Sequence, residues 1–279
     1  MSSASAPAPQ APAPPPDASP VVALHGVSLG FDGPPVLEDI TFTVKPAETR
    51  VLLGPAGVGK SVLLKLIIGL LRPLEGSVEL FGEEISHMPE QKLFALRSRA
   101  GMVFQEGALF DSISVRDNVA YQLIQERVPD QQIDARVHEA LSFVGLEETF
   151  SLYPPSLSGG MRRRVAIARA LIHNPDLILY DSPTGGLDPV TSATIIELIV
   201  KQRDVHATPS LLVTHRLQDA FTLCTHHYSP EHGCMIPYPH GESHPNTTFL
   251  MLDEGHLIFD GSLDEILLTK NSFVREFLA

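Results

Sequence analysis

Short apolar runs of strand length alternate with longer amphipathic stretches along most of the chain. Val21–Leu29, Ile40–Val44 and Thr49–Leu53 are β-branched or aliphatic and read as strands. A helical stretch follows Gly59 and is expected to run to Leu71, where Arg72-Pro73 stops it. Gly101–Phe104, Leu177–Tyr180 and Leu211–Thr214 are further strand-length runs, separated by helical periodicity in Gln131–Val144, Gly160–Ile172 and Pro189–Gln202. Strands alternating with helices predict an α/β fold with a mostly parallel sheet. The string FLMLDEGHLIFDG predicts a hairpin turning at Glu254-Gly255, and the chain from Ser262 reads as helical.

Two segments break the rhythm. Residues 1–20 carry seven of the 24 prolines, with Ala and Ser between them, and are expected to be extended or disordered. Residues 225–248 show neither period and hold five of the twelve histidines. They read as an inserted, solvent-exposed loop. Imidazoles and the thiols of Cys224 and Cys234 are zinc ligands in principle, but no tight pairing such as H-x₃-H organises them.

Composition narrows the class. With 279 residues, 43% of them hydrophobic and 19% charged, the chain is globular. A net charge of −13 argues against general affinity for nucleic acid or anionic lipid. Two cysteines make no disulfide framework. The longest apolar stretch, Val62–Leu71, is too short for a membrane span and is interrupted by Lys65. The N-terminus lacks the basic start and apolar run of a secretory signal, so the expectation is a soluble cytosolic chain.

The strongest chemistry is Gly54-Pro55-Ala56-Gly57-Val58-Gly59-Lys60-Ser61, a full match to G-x-x-x-x-G-K-[ST] between a strand and a helix. Its glycines let successive amides face phosphate oxygens, and the helix N-terminus adds partial positive charge. Lys60 is expected to reach the β- and γ-phosphates and Ser61 to offer its hydroxyl to Mg²⁺. Asp181 ends the strand LILY, where a carboxylate beside a phosphate loop is placed to hold Mg²⁺ through its water shell.

With these motifs the chain, from about Val21 onward, resembles the ATP-binding cassette (ABC) family. Leu157-Ser158-Gly159-Gly160-Met161 looks like the signature sequence, Gln105 occupies the Q-loop position, Gly186-Leu187-Asp188 the D-loop, and His215 the switch histidine. Phe31 stands where that family stacks an aromatic ring on adenine. The resemblance implies a P-loop NTPase fold with a mostly parallel core sheet, an antiparallel β subdomain, and a helical subdomain at about 90–165. It implies ATP and Mg²⁺ as ligands, with Gln105 joining Ser61 and Asp181 at the metal. It implies a homodimer in which Ser158, Gly159, Gly160 and Met161 of one chain meet the γ-phosphate held by the other. Arg162, Arg163 and Arg164 are expected to support the signature helix rather than bind nucleic acid. The strings GMVFQEGALFDSISVRDNVAY, LSGGM and GLDPVTS are similar to the lipid-asymmetry, Mce-associated branch. That branch implies an MlaE-type polytopic permease, docked near Gln105–Tyr121, that moves phospholipid or another hydrophobic substrate. The branch leaves open a small regulatory subunit as a further partner, and the inner face of the cytoplasmic membrane is the implied location.

The chain departs from that family at two positions. The family usually has Glu directly after the Asp of the LILY-Asp181 strand; here Ser182 follows, and a hydroxyl is far too weak a base to replace it. Slow hydrolysis positioned by His215, substitution by another carboxylate such as Asp188, and a nucleotide-gated switch with little catalysis are the readings left open. Arg216 stands where an acidic residue commonly follows the switch histidine. A soluble cassette acting on DNA or ribosomes has no support in the chain, which shows no coiled coil or basic arm.

Overall fold

The computed structural model describes residues 19–31, 33–239 and 241–279, so residues 1–18 of the proline-rich leader and His240 of the insertion lie outside it. The chain opens with β1 (Val22–Gly30), β2 (Pro35–Val44), β3 (Thr49–Leu53), α1 (Lys60–Ile67), β4 (Glu75–Leu80), β5 (Glu83–Glu84), α2 (Glu90–Arg97) and β6 (Ala100–Val103). Helices α3 (Val115–Gln125), α4 (Asp130–Phe143) and α5 (Gly159–Leu171) follow. Next come β7 (Leu177–Asp181), α6 (Pro189–His206), β8 (Ser210–Val213) and α7 (Leu217–Thr225). Two hairpins, β9 (His226–Ser229) with β10 (Cys234–Pro237) and β11 (Thr247–Asp253) with β12 (His256–Gly261), precede α8 (Leu263–Leu267) and α9 (Ser272–Leu278).

The central sheet has the order β12-β11-β3-β8-β7-β6, parallel throughout except for the β11–β12 hairpin at one edge. Its strands read as continuous apolar runs because both faces are covered. Leu177 and Leu179 of β7 enter one core cluster while Ile178 and Tyr180 enter the other, and β3 divides Leu52 from Val51 and Leu53 in the same way. A separate antiparallel sheet, β2-β1-β4-β5, packs over α1 and shares its core cluster. The β11–β12 turn is a two-residue loop with Glu254 and Gly255 both at positive φ (44° and 81°), as the Glu-Gly signal predicts.

The structure differs from the sequence expectation in four places. Helix α1 stops at Ile67 rather than Leu71, because Gly69 turns left-handed (φ 66°) and the Gly69 and Leu70 amides bond back to Leu66 and Lys65 carbonyls. The expected helical subdomain of 90–165 includes β6, a strand of the central sheet, and α2, whose Leu93 and Leu96 join the core cluster of α1; the helical layer begins at Val115. The C-terminal stretch is two short helices, with Ser262 and Glu265 forming a capping box on α8 and Asn271 capping α9.

The fourth difference lies in the insertion, where residues 226–237 form a hairpin and part of the stretch is buried. β9 and β10 pair from Cys234↔Ser229 to Pro237↔His226. His227 and His244 are buried, at 9% and 5% exposure, while His232 is exposed. The hairpin is held to α6 by Arg203, which donates to the His226 carbonyl at 2.8 Å and to the Leu223 carbonyl. Asp204 accepts from Arg203 Nε at 2.6 Å and from the Tyr228 amide at 2.7 Å. Among the described residues no three His, Cys, Asp or Glu side chains converge as a metal site.

Candidate functional site

Three parallel strands end level with one another. Leu52 of β3 pairs with Val213 of β8, which pairs with Asp181 of β7. Beyond this row the chain emerges as the phosphate loop, the His215 segment and Ser182, so all three lie at the carboxyl edge of the sheet, where open α/β folds bind ligands.

The phosphate loop is built for close approach. Gly54, Gly57 and Gly59 all have positive φ (147°, 82° and 102°). A Cβ on Gly54 would collide with the Leu252 carbonyl and one on Gly59 would press on Leu37 and Val36, whereas Gly57 faces open space. The loop is therefore wedged against β2 and β11 behind and free in front. Pro55, Ala56 and Val58 complete the crest, with Ala56 exposed.

Lys60 Nζ donates to the Gly54 and Pro55 carbonyls at 2.8 and 2.5 Å, curling across the loop mouth. Burial pushes its ammonium below the ordinary lysine range, and the Asp181 charge opposes that shift. Ser61 Oγ donates to Asp181 Oδ1 at 2.8 Å, so the two expected Mg²⁺ groups are already adjacent. This donor set fits a polyphosphate with a hard divalent cation: an ammonium, loop amides, a hydroxyl and a buried carboxylate. Phe31, 60% exposed, sits at the end of β1 in the turn leading to the Val36–Leu37 backing of the loop.

Asp181 leads into Ser182, whose backbone is left-handed (φ 46°) and whose amide donates to the Val213 carbonyl at 2.9 Å. His215 is exposed two residues past Val213. Gln105, also exposed, lies against the D-loop, its Nε2 3.4 Å from where a Cβ on Gly185 would stand. Asp188 is committed elsewhere: its Oδ1 accepts from the Val190 and Thr191 amides, both at 3.0 Å, as the N-cap of α6. A hydrogen bond with the Thr191 side chain, with these amides beside it, holds its carboxyl below the ordinary range.

The signature segment opens α5. Ser158 caps the helix, its Oγ accepting from the Met161 amide at 3.2 Å, while Ser158 and Gly159 remain exposed. Gly160 is required because a Cβ there would strike Thr191 of α6. The helix N-terminus therefore rides on the D-loop. The arginines that follow are used inside the fold: Arg162 donates to the Leu157 carbonyl, Arg164 to Val144, and buried Arg163 to both Phe104 and Gly185 at 3.3 and 3.1 Å. Periodicity and motif spacing did not expose the Arg163 bridge, nor Asp219 and Thr184, which are buried behind His215.

A phosphate loop, a metal-side carboxylate and an exposed serine-glycine helix N-terminus on this sheet define a P-loop nucleotide-binding domain. The family model described as ABC transporter matches residues 37–185. The chain belongs to the ABC transporter family.

Its relatives include a probable ribonucleotide transport ATP-binding protein, mkl, of Mycobacterium bovis, 36% identical over 258 residues, covering 92% of this chain and 66% of the relative. The chain thus spans slightly under two thirds of that protein's length. A methionine import ATP-binding protein, MetN 2, of Bacillus cereus is 40% identical over 188 residues, 67% of this chain and 56% of the relative. Among solved structures, the ATP-binding cassette MJ0796 in a dimeric post-hydrolysis state bound to ADP and Pi aligns with a TM-score of 0.73 at 27% identity, covering 87% of this chain and 98% of that one. The cassette cbiO1 of Clostridium perfringens, part of the cbiONQ complex, aligns at 0.75 and 26%, covering 93% and 95%.

Proposed function

We propose that this chain binds Mg-ATP, dimerises around it and hydrolyses it slowly to drive a membrane permease. The observation that carries the reading is the Ser61–Asp181 hydrogen bond beneath an open phosphate loop, with a signature helix N-terminus on the same chain. Lys60 and the loop amides would hold the polyphosphate, Ser61 and Asp181 the cation with Gln105 beside them, and His215 would face the terminal phosphate. Mg²⁺ would supply charge neutralisation at the transferring phosphoryl group. Ser158, Gly159, Gly160 and Met161 would complete the site in the partner chain, as the dimeric cassette structures support. No helix of the described residues is long and apolar enough to cross a membrane, so attachment would come from the permease, docked near Gln105–Tyr121.

Ribonucleotide and methionine are the cargoes in the relatives' names, and they differ from each other. The phospholipid or other hydrophobic cargo, the MlaE-type permease and a small regulatory subunit rest instead on the lipid-branch strings around residues 101–121, 157–161 and 186–192. A second reading, a nucleotide-gated switch with negligible turnover, is favoured by Ser182 alone.

ATP turnover of the chain with its permease, beside Lys60→Ala and Ser182→Glu, separates the two. Wild type well above Lys60→Ala supports a working site without the usual carboxylate. Turnover in Ser182→Glu alone supports the switch.

A further inference from the structure

Behind His215 lies a buried polar cluster that joins three segments. Arg216 Nη1 donates to Ser192 Oγ at 2.7 Å and to the Thr184 carbonyl at 3.4 Å. Its Nε stands 3.7 Å from Asp219 Oδ2, and the Thr184 hydroxyl donates to that same oxygen. The Arg216 amide in turn donates to Thr214 Oγ1 at 3.0 Å. Thr184, Ser192 and Asp219 are each under 5% exposed and the Arg216 side chain is 25% exposed, so the network is largely shielded from water. It links the His215 segment and the first turn of α7 to the stretch just past Ser182 and to the first turn of α6.

The neighbouring geometry says what the network holds. The Ser182 amide bonds the end of β8, two residues before His215. Asp219 is the buried carboxylate of this network, its proton affinity raised by burial and lowered by Thr184, Arg216 and His215. We propose that Arg216 and Asp219 form a clamp that positions His215 toward the terminal phosphate by fixing the backbone beside it. The clamp rests on the reading of the phosphate loop as a nucleoside triphosphate site. Arg216 and Asp219 are positioning residues, since they act through His215.

The test uses the full-length chain and measures Mg-ATP and Mg-ADP affinity by displacement of a fluorescent nucleotide, with turnover beside it. Wild type, Arg216→Gln, Arg216→Lys, Asp219→Asn, His215→Ala and the Arg216→Gln/His215→Ala pair are compared. Arg216→Gln is expected to reduce the preference for ATP over ADP about tenfold with ADP affinity held within twofold, and to add nothing in the His215→Ala background. Arg216→Lys keeps one donor and recovers part of the preference, which guards against an unfolded variant. Equal losses for ATP and ADP, additive losses on the His215→Ala background, or a wild type that does not prefer ATP would each overturn the clamp. Turnover no greater than that of Lys60→Ala, with an ATP preference that still depends on Arg216, would remove the hydrolysis reading and leave the clamp standing.

Discussion

Ser61 Oγ donates to Asp181 Oδ1 at 2.8 Å across 120 residues of sequence, which joins the first turn of α1 to the end of β7 before any cation is bound. Asp181 is 7% exposed, so its charge leans on this donor and on the nearby Lys60 ammonium. Ser61→Ala should therefore act on the cation more than on the nucleotide. The ratio of ATP affinity with Mg²⁺ to that in EDTA is expected to fall about tenfold or more, with the EDTA value unchanged. Titration calorimetry in both buffers reads it; an unchanged ratio would remove Ser61 from the metal side of the site.

Gly160 touches Thr191 so closely that any Cβ meets the Thr191 Cγ2 methyl. Gly160→Ala overpacks the junction of α5 and α6 and is expected to lower unfolding stability by about 1–3 kcal/mol. Thr191→Ser removes that methyl, so the double variant should regain most of the loss. Urea unfolding of the two single variants and the double variant decides it, and purely additive effects would show that the strain lies elsewhere.

Arg203 is the anchor of the inserted hairpin, with the Leu223 and His226 carbonyls and Asp204 as its partners at 3% exposure. Arg203→Met leaves Asp204, whose side chain is 14% exposed, without its cation and is expected to cost about 3 kcal/mol of stability. The hairpin packs on α6 and not on the phosphate loop, so Mg-ATP affinity at temperatures where the variant stays folded should match wild type. A loss of affinity out of proportion to stability would make the hairpin part of the nucleotide site.

What the sequence announced follows physical rules that act locally. Strands β3, β7 and β8 were legible because burial on two faces leaves apolar runs in them, Val51–Leu53, Leu177–Tyr180 and Leu211–Val213, and the phosphate loop because its glycines serve backbone geometry. The β9–β10 hairpin was not, since its backbone is held by Arg203 and Asp204 more than twenty positions away on α6. The Arg216 cluster was hidden for the same reason, its partners Thr184 and Ser192 lying 32 and 24 residues upstream. That Asp188 also caps α6 was not read from the sequence either.

Acid should unfold this protein through histidines rather than through its active site. Burial lowers the proton affinity of His173, His226 and His244, taking His244 to about 4 despite Asp204 at 3.6 Å. An unfolded imidazole takes up its proton near pH 6.5, so below that value the unfolded state binds more protons than the folded one. Stability must therefore fall as pH drops from about 6.5 toward 4, where the His244 contribution levels off. For His244 alone the loss between pH 7 and pH 5 is about 2 kcal/mol. His244→Gln stays neutral throughout and should show a shallower decline, even if it starts less stable for loss of the Thr247 contact. Urea midpoints of both proteins at pH 7 and pH 5 make the comparison; equal declines would mean that the buried imidazole of His244 is not the source.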